Sequence, residues 1–197
     1  AFVSAANYAA SGISLLPEDK WKSHYKLTLE LYSIGAEGEG IRGKIDETKA
    51  YCDEVLNQEG CSIFDKLRLY YALMDTMANG NRAQEAMELC LDVFEQLQCK
   101  FPKKAGAQAF RAVLTILKIT RKRYIPTAEE MNNLPMVTDA EKAEVMKLLN
   151  LLTTYCYYTK NMLLFVLVFT KMFHWTMRYG ISDYSPQAMN GYGIIFN

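Results

Sequence analysis

Residues 38–45 read GEGIRGKI, and the fold turns on whether they form a phosphate-binding loop or the end of a helix. The pattern G-x-x-x-x-G-K-[ST] is met at Gly38, Gly43 and Lys44 and broken at Ile45. A phosphate loop needs a hydroxyl after its lysine to hold magnesium, and Ile45 cannot provide one. Upstream, LTLELYSI at 27–34 alternates apolar and polar residues as a feeding strand would. The same residues also satisfy a helix. Leu27, Leu31 and Ile34 make one stripe, Leu29, Tyr32 and Ala36 another, and Trp21, Tyr25 and Thr28 extend the pattern backwards. About 18 residues without a break favour the helix.

An internal repeat decides the matter. Residues 29–61 align with residues 67–99 at a shift of 38. Leu29, Leu31 and Tyr32 fall on Leu67, Leu69 and Tyr70, and Glu47, Cys52, Val55, Gln58 and Cys61 fall on Glu85, Cys90, Val93, Gln96 and Cys99. RGKIDET then lies on GNRAQEA, so the supposed phosphate loop matches Ala-Asn-Gly-Asn at 78–81, a helix–helix connection. Gly43 suits the left-handed backbone of a helix end, and Gly35, Gly38 and Gly40 let a partner helix approach or fray the last turn. A period between about 20 and 50 residues points to a solenoid, because one unit cannot bury its apolar face alone.

The unit resembles the tetratricopeptide repeat, two antiparallel helices whose small residues permit close crossing. Ala36, Thr48 and Val55 hold the small positions in the first copy, and Ala86 and Val93 in the second, where Met74 replaces one of them. Ala5, Ala9 and Gly12, closed by Pro17, read as the second helix of a preceding unit.

From Phe101-Pro102 onward the pattern changes to further helical hairpins. Ala105–Thr120 carries Phe110, Val113, Leu114 and Leu117 on one stripe, expected to face the core. Tyr124–Asn133 is a connector in which Thr127 caps a short turn ahead of Glu129 and Glu130. Thr138 or Asp139 caps the next helix, with Glu141 reaching back and Val145, Met146, Leu149 and Leu152 as its apolar face. Another helix runs from Asn161 to about Tyr179 and stops at Gly180, and Ser185-Pro186 opens a last one with the serine as cap. The expectation is an all-α solenoid of nine or ten helices without a sheet, with repeats over 1–100 and further hairpins over 101–197.

With 22 basic and 22 acidic residues, the composition does not advertise nucleic acid or an anionic membrane. Lys118, Arg121, Lys122 and Arg123 end a helix, where cations complement the dipole. The apolar run Met162–Thr170 is about half the ~20 residues a membrane span needs, and is read as a buried helix. Five cysteines without a C-x-x-C pair suit reduced thiols in the cytosol, and His24 and His174 have no ligand-like neighbours. No signal peptide is visible. Starting at Ala1 and ending in GYGIIFN, the chain reads as an excerpt of a longer protein.

No catalytic constellation is present: no G-x-S-x-G, H-E-x-x-H, H-R-D or D-F-G. The acidic pairs Asp46-Glu47 and Glu129-Glu130 fall at helix starts, where carboxylates are stabilising. Tyr155, Tyr157 and Tyr158 form an aromatic cluster that serves packing or, with Trp175, lines a ligand pocket.

LLPEDKW (15–21), YKLTLELY (25–32), KIDETKAYCDEVL (44–56), LPMVTDAEK (134–142), and RYG followed by SPQAMNGYGII (178–195), occur in an order that resembles one family. It is the tetratricopeptide-like middle region of very large signalling proteins. These carry a serine/threonine kinase-like domain and a STAND-type AAA-like ATPase before this region, and a GAF domain and histidine kinase after it. The resemblance implies a non-catalytic interaction or regulatory module that meets protein partners, with ATP and magnesium used by flanking domains. A small-molecule sensor is the alternative. No catalytic, cofactor-binding or metal residue is assigned in this stretch.

Overall fold

The computed structural model describes residues 2–122 and 126–196. Among them every regular element is an α-helix, and the one extended pairing is a parallel bridge between Met136 and Ile181. The described helices number eleven, against the nine or ten expected. The difference is a four-residue helix, Lys20–Ser23, which the sequence pattern runs into its successor. At His24 the backbone leaves the helical region (φ −136, ψ 40) and separates the two. The chain divides into two compact units, 1–97 and 98–197.

The first unit holds α1 (Phe2–Ser14), α2 (Lys20–Ser23), α3 (Tyr25–Ile41), α4 (Ile45–Leu56), α5 (Ile63–Asn79) and α6 (Ala83–Gln96). Helix α3 packs on α1, α4 and α5, α4 on α5, and α5 on α6. Tyr32, Ala36, Cys52, Val55, Leu69 and Leu73 form a buried cluster shared by α3, α4 and α5. Glycine makes the α1–α3 crossing close. A Cβ on Gly38 would stand 2.8 Å from the Cβ of Ala6. At Gly35 a Cβ would meet the Tyr51 ring at 2.6 Å. Capping is local and complete at α5: Ser62 Oγ accepts from the Asp65 amide, and the Asp65 carboxylate accepts from the Ser62 amide.

The repeat is written in the backbone as well as in the side chains. Gly43 and Asn81, 38 apart, both adopt positive φ (72° and 62°). Gly60 and Gln98, again 38 apart, do the same (88° and 56°). After α3 the Lys44 amide donates to Glu39 O (3.1 Å) and the Gly43 amide to Gly40 O (2.9 Å). After α5 the Arg82 amide donates to Met77 O (2.8 Å) and the Asn81 amide to Ala78 O (3.2 Å). Both are Schellman caps, which satisfy the last carbonyls of a helix through one left-handed residue.

The second unit holds α7 (Ala105–Lys122), α8 (Ala128–Asn132), α9 (Ala140–Tyr158), α10 (Met162–Tyr179) and α11 (Ser185–Phe196). Helix α10 packs on α7, α9 and α11. That position explains its apolar run: Leu164, Leu167, Val168, Phe169, Met172 and Phe173 are all buried. Among the described residues no helix is long and apolar enough to cross a membrane. The caps at Thr127 and Asp139 fall where the sequence places them, while Asn161, expected as the first helical residue, is the cap of α10. Thr127 and Glu130 form a capping box on α8, Asp139 Oδ1 accepts from the amides of Glu141 and Lys142, and Asn161 accepts from Leu164.

Two sequence motifs meet in this unit. The Ile181 amide donates to Pro135 O (2.8 Å) and the Val137 amide to Ile181 O (2.8 Å), fastening the 134–137 segment to the end of α10. Ser185, expected to cap α11, instead accepts from the Ser182 amide (2.9 Å) and lies 2.9 Å from Thr176 Oγ1. Ser182 Oγ accepts from the Tyr184 amide (3.4 Å), so both serines close the turn that leads into α11 and neither is seen to cap its first amides.

Candidate functional site

The GEGIRGKI stretch is closed to phosphate. A phosphate loop offers free amides, yet Gly38 and Gly40 lie within α3, and the amides of Arg42, Gly43 and Lys44 already donate to Glu39 and Gly40 carbonyls. Lys44 Nζ is 3.1 Å from Glu47 and 3.7 Å from Glu39, and Arg42 makes two bonds to Glu39 at 2.8 and 3.0 Å. The Glu47 carboxyl is held below the usual range by its own backbone amide, then by Lys44. The cations are spent on local carboxylates.

The aromatic cluster is likewise dispersed. Tyr155 is fully buried, whereas Tyr157 and Tyr158 are exposed with ring centroids 6.1 Å apart. Trp175 donates to Lys142 O (3.2 Å) near the start of α9. Tyr155 lies 13 residues further along that helix, roughly 20 Å at helical rise. These side chains do not line one pocket. Burial pushes the thiols of Cys52 and Cys156 up to about 12, so both are unreactive packing groups at neutral pH.

The strongest candidate site lies elsewhere, in the second unit. Lys100, Phe101 and Pro102, the α7 residues Arg111, Leu114 and Thr115, and Leu167 and Lys171 of α10 line a cleft of about 310 Å³. Its walls are fixed from beneath. Gln108 is buried and donates to Pro102 O (3.0 Å), tying the 100–104 segment to α7. Ala112, also buried, offers a small side chain on the inner face of α7, which packs on α10. Lys171 Nζ lies 4.9 Å from the Phe101 ring centroid, a cation–π pair that holds the ammonium at the rim. Three cations and no carboxylate line the cleft, so its field favours an anion.

Helix α7 itself overturns an expectation. Phe110, Val113, Leu114 and Leu117 were expected to face the core, yet they are 66%, 54%, 49% and 49% exposed. The inner face is instead Gln108, Ala112 and Thr115. With small and polar residues on the packed side of α7, which contacts α10, the bulkier stripe is left facing outward. Arg123, and the side chains of Arg121 and Lys122, lie outside the described residues; Lys118 is exposed on α7.

Sequence reading passed over the cleft because its three cations stand on separate segments. A signal was nevertheless present. From Gln96 to Ala128 the chain has no Asp or Glu, but holds Lys100, Lys103, Lys104, Arg111, Lys118, Arg121, Lys122 and Arg123.

A family-model scan finds no match, and no curated protein or solved structure matches the chain significantly. Among the described residues no group of three His, Cys, Asp or Glu side chains could hold a metal.

Proposed function

We propose that this chain is a non-catalytic, tetratricopeptide-like helical module that binds a partner and regulates flanking domains. The observation that carries this reading is the recurrence of one hairpin: α3–α4 and α5–α6 share left-handed turn residues and bury Cys52 with Cys90 and Val55 with Val93 at the same register. Stacked hairpins build extended surfaces whose curvature responds to small shifts between units, which suits binding and regulation rather than bond chemistry. The resemblance noted above supplies the setting, an ATPase-linked signalling kinase whose ATP and magnesium belong to domains outside this stretch.

Two experiments test it. Titration calorimetry of the 197-residue chain with Mg-ATP is expected to give no heat of binding; binding that disappears in Lys44→Ala would overturn the reading. Removing residues 1–100 from the intact protein is expected to raise ATPase or kinase output, and unchanged output contradicts a regulatory role.

A second reading, a sensor of a small anionic molecule, is favoured by the cationic cleft of Lys100, Arg111 and Lys171. It expects millimolar glycerol phosphate to raise the thermal midpoint, and Arg111→Gln to remove the effect.

A further inference from the structure

We propose that the α7 face of the second unit docks on an anionic phospholipid surface, with lipid phosphate in the cationic cleft and the α7 stripe in the interfacial layer. The proposal rests on the binding reading of the cleft and names what fills it. Three observations meet here. The first is apolar: Phe110, Val113, Leu114 and Leu117 follow the spacing of one helical face and stand about half exposed or more. A helix whose bulky face turns away from its own protein has its apolar moment directed at something else.

The second is charge. The Gln96–Ala128 stretch carries eight cations and no carboxylate, in a chain whose total is 22 against 22. Neutrality of the whole conceals a single-signed segment. Among the described residues, no carboxylate pairs with Arg111 or Lys118, which flank the stripe on one side.

The third is continuity. Leu114 belongs to the exposed stripe and also lines the cleft with Arg111 and Lys171. An apolar strip running into a cationic recess matches the layering of a bilayer surface, where acyl carbons adjoin phosphate. Nucleic acid matches the charge but has no use for four exposed apolar side chains. A second copy of the chain would bring like-charged segments together.

The test is co-sedimentation of the 197-residue chain with vesicles of phosphatidylcholine alone or mixed with phosphatidylglycerol. Sedimentation is expected with the anionic vesicles only, and it is expected to weaken as salt rises. Arg111→Gln with Lys118→Gln should weaken partitioning about 25-fold, near fivefold for each cation. Phe110→Ser with Leu117→Ser should weaken it at least about tenfold while leaving the circular dichroism unchanged, since both sites are exposed. Absence of sedimentation with anionic vesicles by the folded chain overturns the proposal. If glycerol phosphate still raises the thermal midpoint in that case, the sensor reading survives and only the membrane is lost. Sedimentation indifferent to the serine pair, matched by equal affinity for duplex DNA, overturns it in favour of a general polyanion surface. Self-association abolished by Phe110→Ser, without vesicle binding, overturns it in favour of a second copy.

Discussion

At Gly180 the backbone takes φ 106, ψ 179, a region essentially reserved for glycine, and a Cβ there would collide with Pro135 O. Strain and collision fall together on the hinge that joins α10 to the 134–137 segment. Gly180→Ala is therefore expected to cost about 3 kcal/mol or more, read as a lowered urea midpoint at unchanged slope. Gly43 differs. It too has positive φ, yet a Cβ there would meet nothing within 4 Å, so only the dihedral matters. Gly43→Ala should cost about 1 kcal/mol, whereas Asn81→Gly at the equivalent turn should be neutral or slightly stabilising. Equal losses at Gly43 and Gly180 would contradict this separation of strain from sterics. Arg68 marks the opposite limit. Its bonds to Glu37 and Glu30 (2.6 to 2.8 Å) raise its pKa, through Glu37 first, but all three side chains are about 40–55% exposed. Such a network contributes about 1 kcal/mol at most.

Helices show most plainly what could be read in advance. Their ends are set by residues three or four apart, so the caps at Thr127 and Asp139 and the stop at Gly180 were legible from local chemistry. The packed side of α7 was not. Periodicity says that Phe110, Val113, Leu114 and Leu117 share a face, but the choice of face depends on what α10 presents much further along the chain. The cleft was hidden for the same reason, since Lys100, Arg111 and Lys171 come from three segments. The α5 cap gives a test at this scale. Burial raises the Asp65 carboxyl, but hydrogen bonds from Ser62 and the Tyr25 hydroxyl (2.8 Å) outweigh it and hold the pKa below 3.8. A depressed carboxyl stabilises the fold above its unfolded pKa, and that stability is lost as pH falls through the folded value. Asp65→Asn is expected to cost about 1 kcal/mol near neutral pH, and the difference from the parent should shrink below about pH 4. A difference constant down to about pH 2 would show that the carboxylate charge is not what stabilises the cap.

Across the whole molecule, the repeat was legible because it recurs at both levels: eight matched residues at a shift of 38, and left-handed turns at the same shift. The four-residue α2 was not, because its Trp21 keeps the helical period of α3 while His24 breaks the backbone. Trp21 is held by side chains instead, stacking on Tyr32 at 5.7 Å and donating to Glu54 (3.3 Å). If the hairpins are equivalent units, their energetics should be equivalent as well. Val55 and Val93 are both fully buried, one on α4 and one on α6, at matched positions. Each loses two methyl groups on truncation, so Val55→Ala and Val93→Ala should each cost about 2 kcal/mol. Stacking adds a condition: Val55 stands between two hairpins, and its pocket closes only when α3, α4 and α5 are all in place. Because α5 both closes the Val55 pocket and packs on α6, the double variant should depart from additivity by more than about 0.5 kcal/mol. Denaturant titration of the three variants decides the point. Losses that differ by more than about 2 kcal/mol would mean that the sequence repeat does not correspond to a repeat in packing.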